Sequence, residues 1–320
     1  MKCKICNGKT KIKYEGLYDD RHGYPGKFDL LECTNCGFMQ TVPELNKDQI
    51  SNIYSKYYPR QDINIESVRM AGKNMLSIKE IKKRGLIGTC CLDTKKGEKV
   101  LDIGSGIGHS LIKIKALGGE AWGLDPDINA QKVAKKLKLN FHHGFIDDCP
   151  FDKKSFDLIT ASQVLEHIPD PLEFLKIAKR FLKPGGRMML SFPNTGAWYQ
   201  KLWSKKWLHW HIPYHLNHFN KKSIETLINQ SGLKIVEIKT TTPNLWTILQ
   251  IKSWLANIKE GERDNMWDGK PAKNKDEIKR SWFQELAVRA LPRIEKLLVV
   301  NRLIDWLKLG ESFVVELRQK

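Results

Sequence analysis

Three sets of residues have the types and spacing that chemistry requires. Cys3-Lys4-Ile5-Cys6 is answered by Cys33-Thr34-Asn35-Cys36, with 26 residues between the pairs. Two-residue spacing points both thiolates of a knuckle at one ion, and four thiolates complete the tetrahedral shell of zinc. A closed shell offers catalysis no open position. Cys3, Cys6, Cys33 and Cys36 are therefore expected to hold a structural Zn2+ that folds a segment too poor in apolar residues to fold alone. A contact to nucleic acid or substrate is the functional alternative. Gly8 and Gly37 follow the knuckles, where glycine accepts a positive φ cheaply. Cys90, Cys91 and Cys149 lack metal spacing and read as packing residues.

The second set is a glycine turn between two acids. Val100-Leu101-Asp102-Ile103-Gly104-Ser105-Gly106-Ile107-Gly108 reads as a buried strand opening into a turn, with a helix from His109. Such a turn lets backbone approach a ligand over the carboxyl ends of an α/β sheet. The dinucleotide fingerprint fails at its last position, which is His109 rather than glycine. Asp102 would also repel a pyrophosphate, whereas its carboxylate suits a ligand bearing ammonium and sulfonium charge. Asp125 ends the next apolar run, 17 residues beyond Gly108, where a carboxylate can accept both hydroxyls of a ribose.

The third set is a crowd of rings. Trp198, Trp203, Trp207 and Trp210 share residues 198–219 with His209, His211, His215 and His218. The segment follows Phe192-Pro193-Asn194 at a strand end, so it is expected to lie over the glycine turn as a lid whose groups titrate near neutrality. The alternative is an aromatic helix packed on the sheet with its histidines exposed.

These residues need elements to place them. From Lys99, short apolar runs alternate with helical stretches, the signature of a doubly wound, parallel α/β sheet. The runs centre on Leu101, Trp122, Leu158, Met188, Val236 and Val315, with a weaker one at Phe141. Lys183-Pro184-Gly185-Gly186 is a helix stop before a strand. The chain divides into a zinc ribbon (1–59), a helical connector (60–97, with Val68, Ala71, Met75 and Ile78 on one face), and the α/β core (98–241). The core contains the lid insertion at 195–219. A helical insertion (242–310) and a closing strand (311–320) complete it. In the insertion Phe283, Leu286, Ala287, Ala290, Ile294, Leu297 and Leu298 define an apolar face. The loop near Gly23-Tyr24-Pro25-Gly26 must bulge from the zinc ribbon.

The 320 residues, 41% hydrophobic and 28% charged, exclude a disordered chain, a collagen-like repeat or a disulfide-dense miniprotein. The net charge of +18 favours polyanions such as nucleic acid, anionic lipid or phosphorylated substrates. With no long apolar span and no apolar signal core, and with thiols in metal spacing, the cytosol is the expected compartment.

Five segments, in order, resemble the class I S-adenosylmethionine-dependent methyltransferases. They are Leu101-Asp102-Ile103-Gly104-Ser105-Gly106-Ile107-Gly108, Gly123-Leu124-Asp125-Pro126, Ser155-Phe156-Asp157-Leu158-Ile159, Leu165-Glu166-His167-Ile168 and Leu182-Lys183-Pro184-Gly185-Gly186. The resemblance covers residues 99–241 and the last strand, and implies a Rossmann-like sheet that binds S-adenosylmethionine. It implies that Asp102 and the backbone of Gly104, Ser105, Gly106 and Gly108 hold the methionine moiety. Asp125, next to Pro126, would hold the ribose, and Gln163 would line the pocket. Many relatives carry an acid after the glycine of the adenine loop. Here Phe145 stands in that place, which leaves Asp147 or the backbone of Ile146 to meet the adenine.

The segment after the fourth strand lacks the Asn/Asp-Pro-Pro-Tyr/Phe motif of amide- and adenine-methylating relatives, and no Pro-Cys nucleophile marks cytosine chemistry. Pro213-Tyr214-His215-Leu216-Asn217-His218-Phe219 is similar to a segment of methyltransferases from glycan and antibiotic clusters. Deoxysugar C-methyltransferases, which also bear an N-terminal zinc module, place Tyr-x-Glu-His-Leu there, with the histidine as base. His215-Leu216 matches, while Ile212 and Tyr214 replace the tyrosine and glutamate. The resemblance thus implies methyl transfer to a hydroxyl, less readily a carbon, of a small molecule or glycan. His215 would be the base, with His167 and His218 in reserve. Two other readings stand beside it. One is an RNA methyltransferase whose zinc module and basic surface meet phosphates; the other is a non-catalytic binding protein on this fold. The apolar face of 242–310 is expected to pack on the sheet or a second subunit; its alternative, with basic flanks Lys279, Arg280, Arg289 and Arg293, is to lie on anionic lipid.

Overall fold

The computed structural model describes residues 1–57, 65–264, 267 and 299–320. The apolar face expected at 283–298 and its basic flanks lie outside the described residues. The chain opens with three strands, β1 (Thr10–Leu17), β2 (Phe28–Cys33) and β3 (Met39–Val42). Short helices α1 (Lys47–Asn52), α2 (Ile65–Met70) and α3 (Ile78–Arg84) follow. The connector is thus not one helix. Its apolar spacing is interrupted by a turn after Met70, and α3 restarts on the Ser77 cap, whose hydroxyl accepts from the Glu80 N–H at 3.2 Å.

The core then alternates β4 (Lys99–Ile103), α4 (His109–Ala116), β5 (Glu120–Asp125), α5 (Ile128–Lys136), β6 (Asn140–His143), β7 (Phe156–Ser162), α6 (Pro171–Phe181) and β8 (Leu182–Pro193). α6 shows how sequence makes such an element. Asp170 caps the N–H groups of Leu172 and Glu173, and Pro171 occupies the first turn. Phe174, Leu175, Ala178 and Phe181 recur on the buried face. The glycine stop lies inside β8: Phe156 pairs with Leu182 and Leu158 with Arg187, so 183–186 form an irregularity there.

The remaining elements are α7 (Trp198–Trp203), β9 (Asn217–His218), α8 (Lys221–Ser231), β10 (Leu233–Thr241), α9 (Asn244–Ala256), α10 (Val300–Trp306) and β11 (Ser312–Gln319). Seven strands form the main sheet in the order β10-β11-β8-β7-β4-β5-β6. The ladders from β8 to β6 are parallel, and β11 inserts antiparallel between β8 and β10. The strand order reverses between β4 and β7, which is where such sheets open a ligand crevice.

The N-terminal strands do not stand apart. They form a second sheet, β1-β2-β3-β9, in which β9 comes from the expected lid, with Met39 opposite His218 and Gln40 opposite Asn217. Leu30, Phe28 and Met39 of this sheet share one core with Trp207, Trp210, Ile212 and Tyr214. The loop expected to bulge instead folds inward. Asp19 accepts from the N–H groups of Arg21, His22 and Tyr24 at 2.9–3.0 Å, and the Tyr24 ring is buried.

Candidate active site

β4 delivers Asp102 to the crevice and then breaks. Gly104, Gly106 and Gly108 have φ of +71°, +52° and +93°, a region that side chains with a Cβ enter at a cost. The Gly104 and Ser105 N–H groups both reach the Leu124 carbonyl, at 2.8 and 3.2 Å, which bends the turn across β5. A Cβ on Gly104 would stand 2.5 Å from Val164 Cγ2, and one on Gly108 would stand 2.8 Å from Leu139 Cδ1. A Cβ on Gly106 would meet nothing within 4 Å, so the middle of the turn faces open space.

Two carboxylates border that space. Asp102 is buried, accepting from Thr160 Oγ1 at 2.5 Å on one oxygen and from the Ser110 hydroxyl on the other. Burial pushes its carboxyl up to about 6, against the two hydroxyl donors, and the nearby Asp125 charge pushes the same way. Asp125 accepts from the Gly106 N–H at 2.8 Å and the Asp127 N–H at 2.9 Å, which ties the end of β5 to the turn. The Gly144 N–H reaches the Asp125 carbonyl at 3.3 Å and His143 Nε2 contacts the Pro126 carbonyl at 2.9 Å, so the loop after β6 adjoins the same edge. On that loop Phe145 is exposed, with its N–H held by Asp148 at 3.0 Å; Ile146 is buried and Asp147 exposed. An open glycine turn with an acid on each side fits S-adenosylmethionine, whose ammonium and sulfonium are cationic and whose ribose offers two hydroxyls.

Gln163 sits at the end of β7 with φ +56°, a strained conformation for a residue with a Cβ. Its N–H donates to the Ser191 carbonyl at 2.7 Å, and Val164 beside it covers Gly104. Leu165-Glu166-His167 then form a single tight turn. His215 enters from the segment before β9, with Nε2 4.0 Å from Glu166 Oε1. His215 Nδ1–H donates to the His209 carbonyl at 2.8 Å, and His167 Nδ1–H to the Tyr214 carbonyl at 2.9 Å. The two rings meet edge to face, centroids 4.7 Å apart, and each keeps an Nε2 lone pair. Glu166 is fully buried with neither carboxylate oxygen hydrogen-bonded, and burial pushes its carboxyl up to about 8. One ligand atom from each of Glu166, His167 and His215 falls within a 4.8 Å span. A small cleft beside His167 is lined by Tyr214, Pro213 and Leu216 and, from the N-terminal segment, Leu45 and Ile53.

The ring-rich segment departs from the sequence reading. His209, His211, His215 and His218 are all buried, and burial pushes their pKa values down: His209 and His218 to about 3, His211 and His215 well below the usual range. They do not titrate near neutrality, because the segment is an interior wall rather than a solvated flap. His218 lies away from the pair, at 6.3 Å between its ring and that of His215. Its Nε2 is 3.1 Å from the Thr41 hydroxyl, which itself donates to the His215 carbonyl at 2.7 Å.

The four cysteine sulfurs lie within 4.8 Å of one another, with Cys3–Cys36 at 3.7 Å and Cys6–Cys33 at 3.4 Å. A tetrahedral shell with bonds of about 2.3 Å has edges of roughly 3.8 Å, so these separations fit one ion. Backbone N–H groups of Ile5 and Asn35 point at Cys3 and Cys33 sulfurs, both at 3.4 Å. The positive φ of the first knuckle falls on Asn7 rather than Gly8. Gly8 is required for room instead, because a Cβ there would stand 3.1 Å from Cys33 Sγ.

Ser110 and Thr160, which hold Asp102, were not foreseen; a lone threonine in the apolar run of β7 was the available signal. The buried Glu311 beside His209, with Oε1 3.8 Å from Nε2, has no local sequence signal, since 101 residues separate the two (311 minus 209 minus one).

The sequence profile of a methyltransferase-domain family matches residues 80–238. A demethylmenaquinone methyltransferase of Staphylococcus saprophyticus is 30% identical over 178 residues, 47% of this chain and 76% of that protein. A ubiquinone biosynthesis O-methyltransferase of Coxiella burnetii is 34% identical over 107 residues, 32% of this chain and 46% of the relative, so less than half of that protein is spanned. Among solved structures, an S-adenosylmethionine-dependent methyltransferase of Archaeoglobus fulgidus aligns with 18% identity and a TM-score of 0.46, over 76% of this chain and 95% of the other. The strand order, the glycine turn between Asp102 and Asp125, and the matched sequence place this chain among the S-adenosylmethionine-dependent methyltransferases.

Proposed function

We propose that the protein methylates a hydroxyl of a small molecule or glycan, with His215 taking the proton. When bound, S-adenosylmethionine supplies a methyl group activated on a positively charged sulfur. Asp102 and the backbone of the glycine turn would hold its amino-acid end. Asp125 would hold the ribose, and the loop around Phe145, Ile146 and Asp147 would face the adenine. The observation that carries the acceptor reading is the Glu166–His167–His215 cluster. The His209 carbonyl fixes the Nδ1–H tautomer of His215, leaving Nε2 as the base. With an acceptor hydroxyl placed against it, Nε2 would take the hydroxyl proton as that oxygen is methylated. Glu166 Oε1 lies 4.0 Å from that Nε2, so the carboxyl, which burial keeps protonated up to about pH 8, would compensate the imidazolium only once ionised. The O-methyltransferase named above supports a hydroxyl acceptor. The same reading assigns Cys3, Cys6, Cys33 and Cys36 a structural Zn2+ that steadies the wall carrying His215.

The test is a deletion strain whose small molecules and envelope glycans are compared by mass spectrometry with the parent. One hydroxyl-bearing compound should be lighter by one CH2. The wild-type chain should restore it, and His215→Ala should lower the rate about 10²–10⁴-fold without changing S-adenosylmethionine affinity. A lesion confined to RNA, or full activity in His215→Ala, would reject the assignment.

A further inference from the structure

We propose that α7, α9 and α10 form a face that docks on an anionic membrane surface. Three helices here bury polar side chains beside Ile248 and Ile304 and turn large apolar ones outward. In α9, Asn244, Thr247 and Gln250 are buried while Leu245 and Trp254 are exposed. In α10, Asn301 is fully buried, while Leu303 is 56% and Trp306 76% exposed. In α7, Tyr199 and Gln200 turn inward and Trp198 and Leu202 outward. A helix on a water-facing surface shows the opposite pattern.

Hydrogen bonds among the buried amides hold the inversion in place. Asn301 Nδ2 donates to Asn244 Oδ1 at 3.2 Å and to Thr247 Oγ1 at 3.0 Å, and its Oδ1 accepts from the Tyr199 hydroxyl at 2.9 Å. Gln250 accepts from the Leu208 N–H at 2.6 Å and donates to the Lys206 carbonyl at 2.9 Å. Trp203 packs on Trp254 with centroids 5.7 Å apart, which completes the joint between α7 and α9. These bonds lock the three helices together and leave their apolar sides without a described partner.

Charge selects the occupant. Lys201, Lys205, Lys206, Lys252 and Lys308 flank these helices, and none forms an ion pair among the described residues. The one acid within α10, Asp305, is held by Arg302 at 3.1 Å. Tryptophan and leucine bordered by lysine are the composition of a surface that sits in the headgroup layer of anionic lipid. A second copy would bring the same lysines against these. No helix among the described residues is long and apolar enough to cross a membrane, so the contact lies on the bilayer. α7 begins five residues beyond the end of β8, so docking brings the bilayer to the strand ends that carry the site.

The experiment is co-sedimentation of the full chain with vesicles of phosphatidylcholine alone or with added phosphatidylglycerol. Binding to the anionic vesicles, released by salt, is expected. The double variant Leu303→Glu/Trp306→Glu should partition at least about 10-fold less while still taking up S-adenosylmethionine. If that variant fails to fold, Lys201→Gln/Lys252→Gln/Lys308→Gln decides the matter by losing the preference for anionic vesicles. Wild-type protein that ignores both vesicle types overturns the proposal, as does a folded double variant that binds undiminished. A dimer that the double variant splits, with neither form binding vesicles, overturns it in favour of a seam between copies. Any of these failures leaves the methyl-transfer reading untouched.

Discussion

In the proposed reading, Asp102 is the residue on which donor binding turns. It lies under the glycine turn, its oxygens engaged by Ser110 and Thr160, yet each oxygen keeps a second lone pair and the group keeps its charge. A folded-state pKa raised to about 6 means the carboxylate is present above that pH and lost as pH falls through it. Affinity for the cationic donor should therefore be flat above about pH 7 and weaken about tenfold per unit below pH 6, measured by calorimetry. Asp102→Asn should flatten that profile and weaken binding by about tenfold or more, since a charge-assisted contact is lost. An unchanged profile in the variant would move the acid limb to another group. His215 gives no comparable limb near 6.5, because burial keeps it neutral far below that pH.

At the scale of elements, the turn between β4 and α4 separates two roles that glycine can play. Gly104→Ala places a methyl 2.5 Å from Val164 and holds alanine at φ +71°, so both packing and backbone suffer. A stability loss of about 1–3 kcal/mol is expected from thermal unfolding. Gly106→Ala meets no protein atom and should cost only about 1–2 kcal/mol for its positive φ, but it enters the open space proposed for the donor. Donor affinity should fall much further than stability there, by calorimetry beside the melt. The strands around this turn were legible because each is a short buried run with its own stop, and the acids were legible because a carboxylate inside such a run has few other uses. Gln163 was legible only as a position, since nothing in a sequence reports a non-glycine residue at φ +56°. The wall of rings was misjudged because density of tryptophan and histidine speaks of neither burial nor partner. What decides both is β3, 176 residues earlier, counted from Val42 to His218.

For the whole molecule, the proposed reading gives the two sheets separate tasks. The seven-stranded sheet carries Asp102 and the glycine turn, while the four-stranded sheet, fastened to the cysteine cluster, carries His218 and backs the segment of His215. Removing a bound metal with a chelator, or substituting Cys33→Ser, should therefore collapse the acceptor wall first. Methyl transfer should disappear, and a low-temperature melting step should emerge, while S-adenosylmethionine uptake survives in good part. Joint loss of both functions would show that the two sheets unfold as one.

The pairing of β3 with β9 also sets a timetable. At a synthesis rate of about 5–20 residues per second, the ribosome delivers the fourth strand of the small sheet roughly 10–35 seconds after the third. Through that interval residues 3–42 have their knuckles but lack the tryptophan-rich layer that will cover them. Strands made well before their cover are thus among the last to be buried.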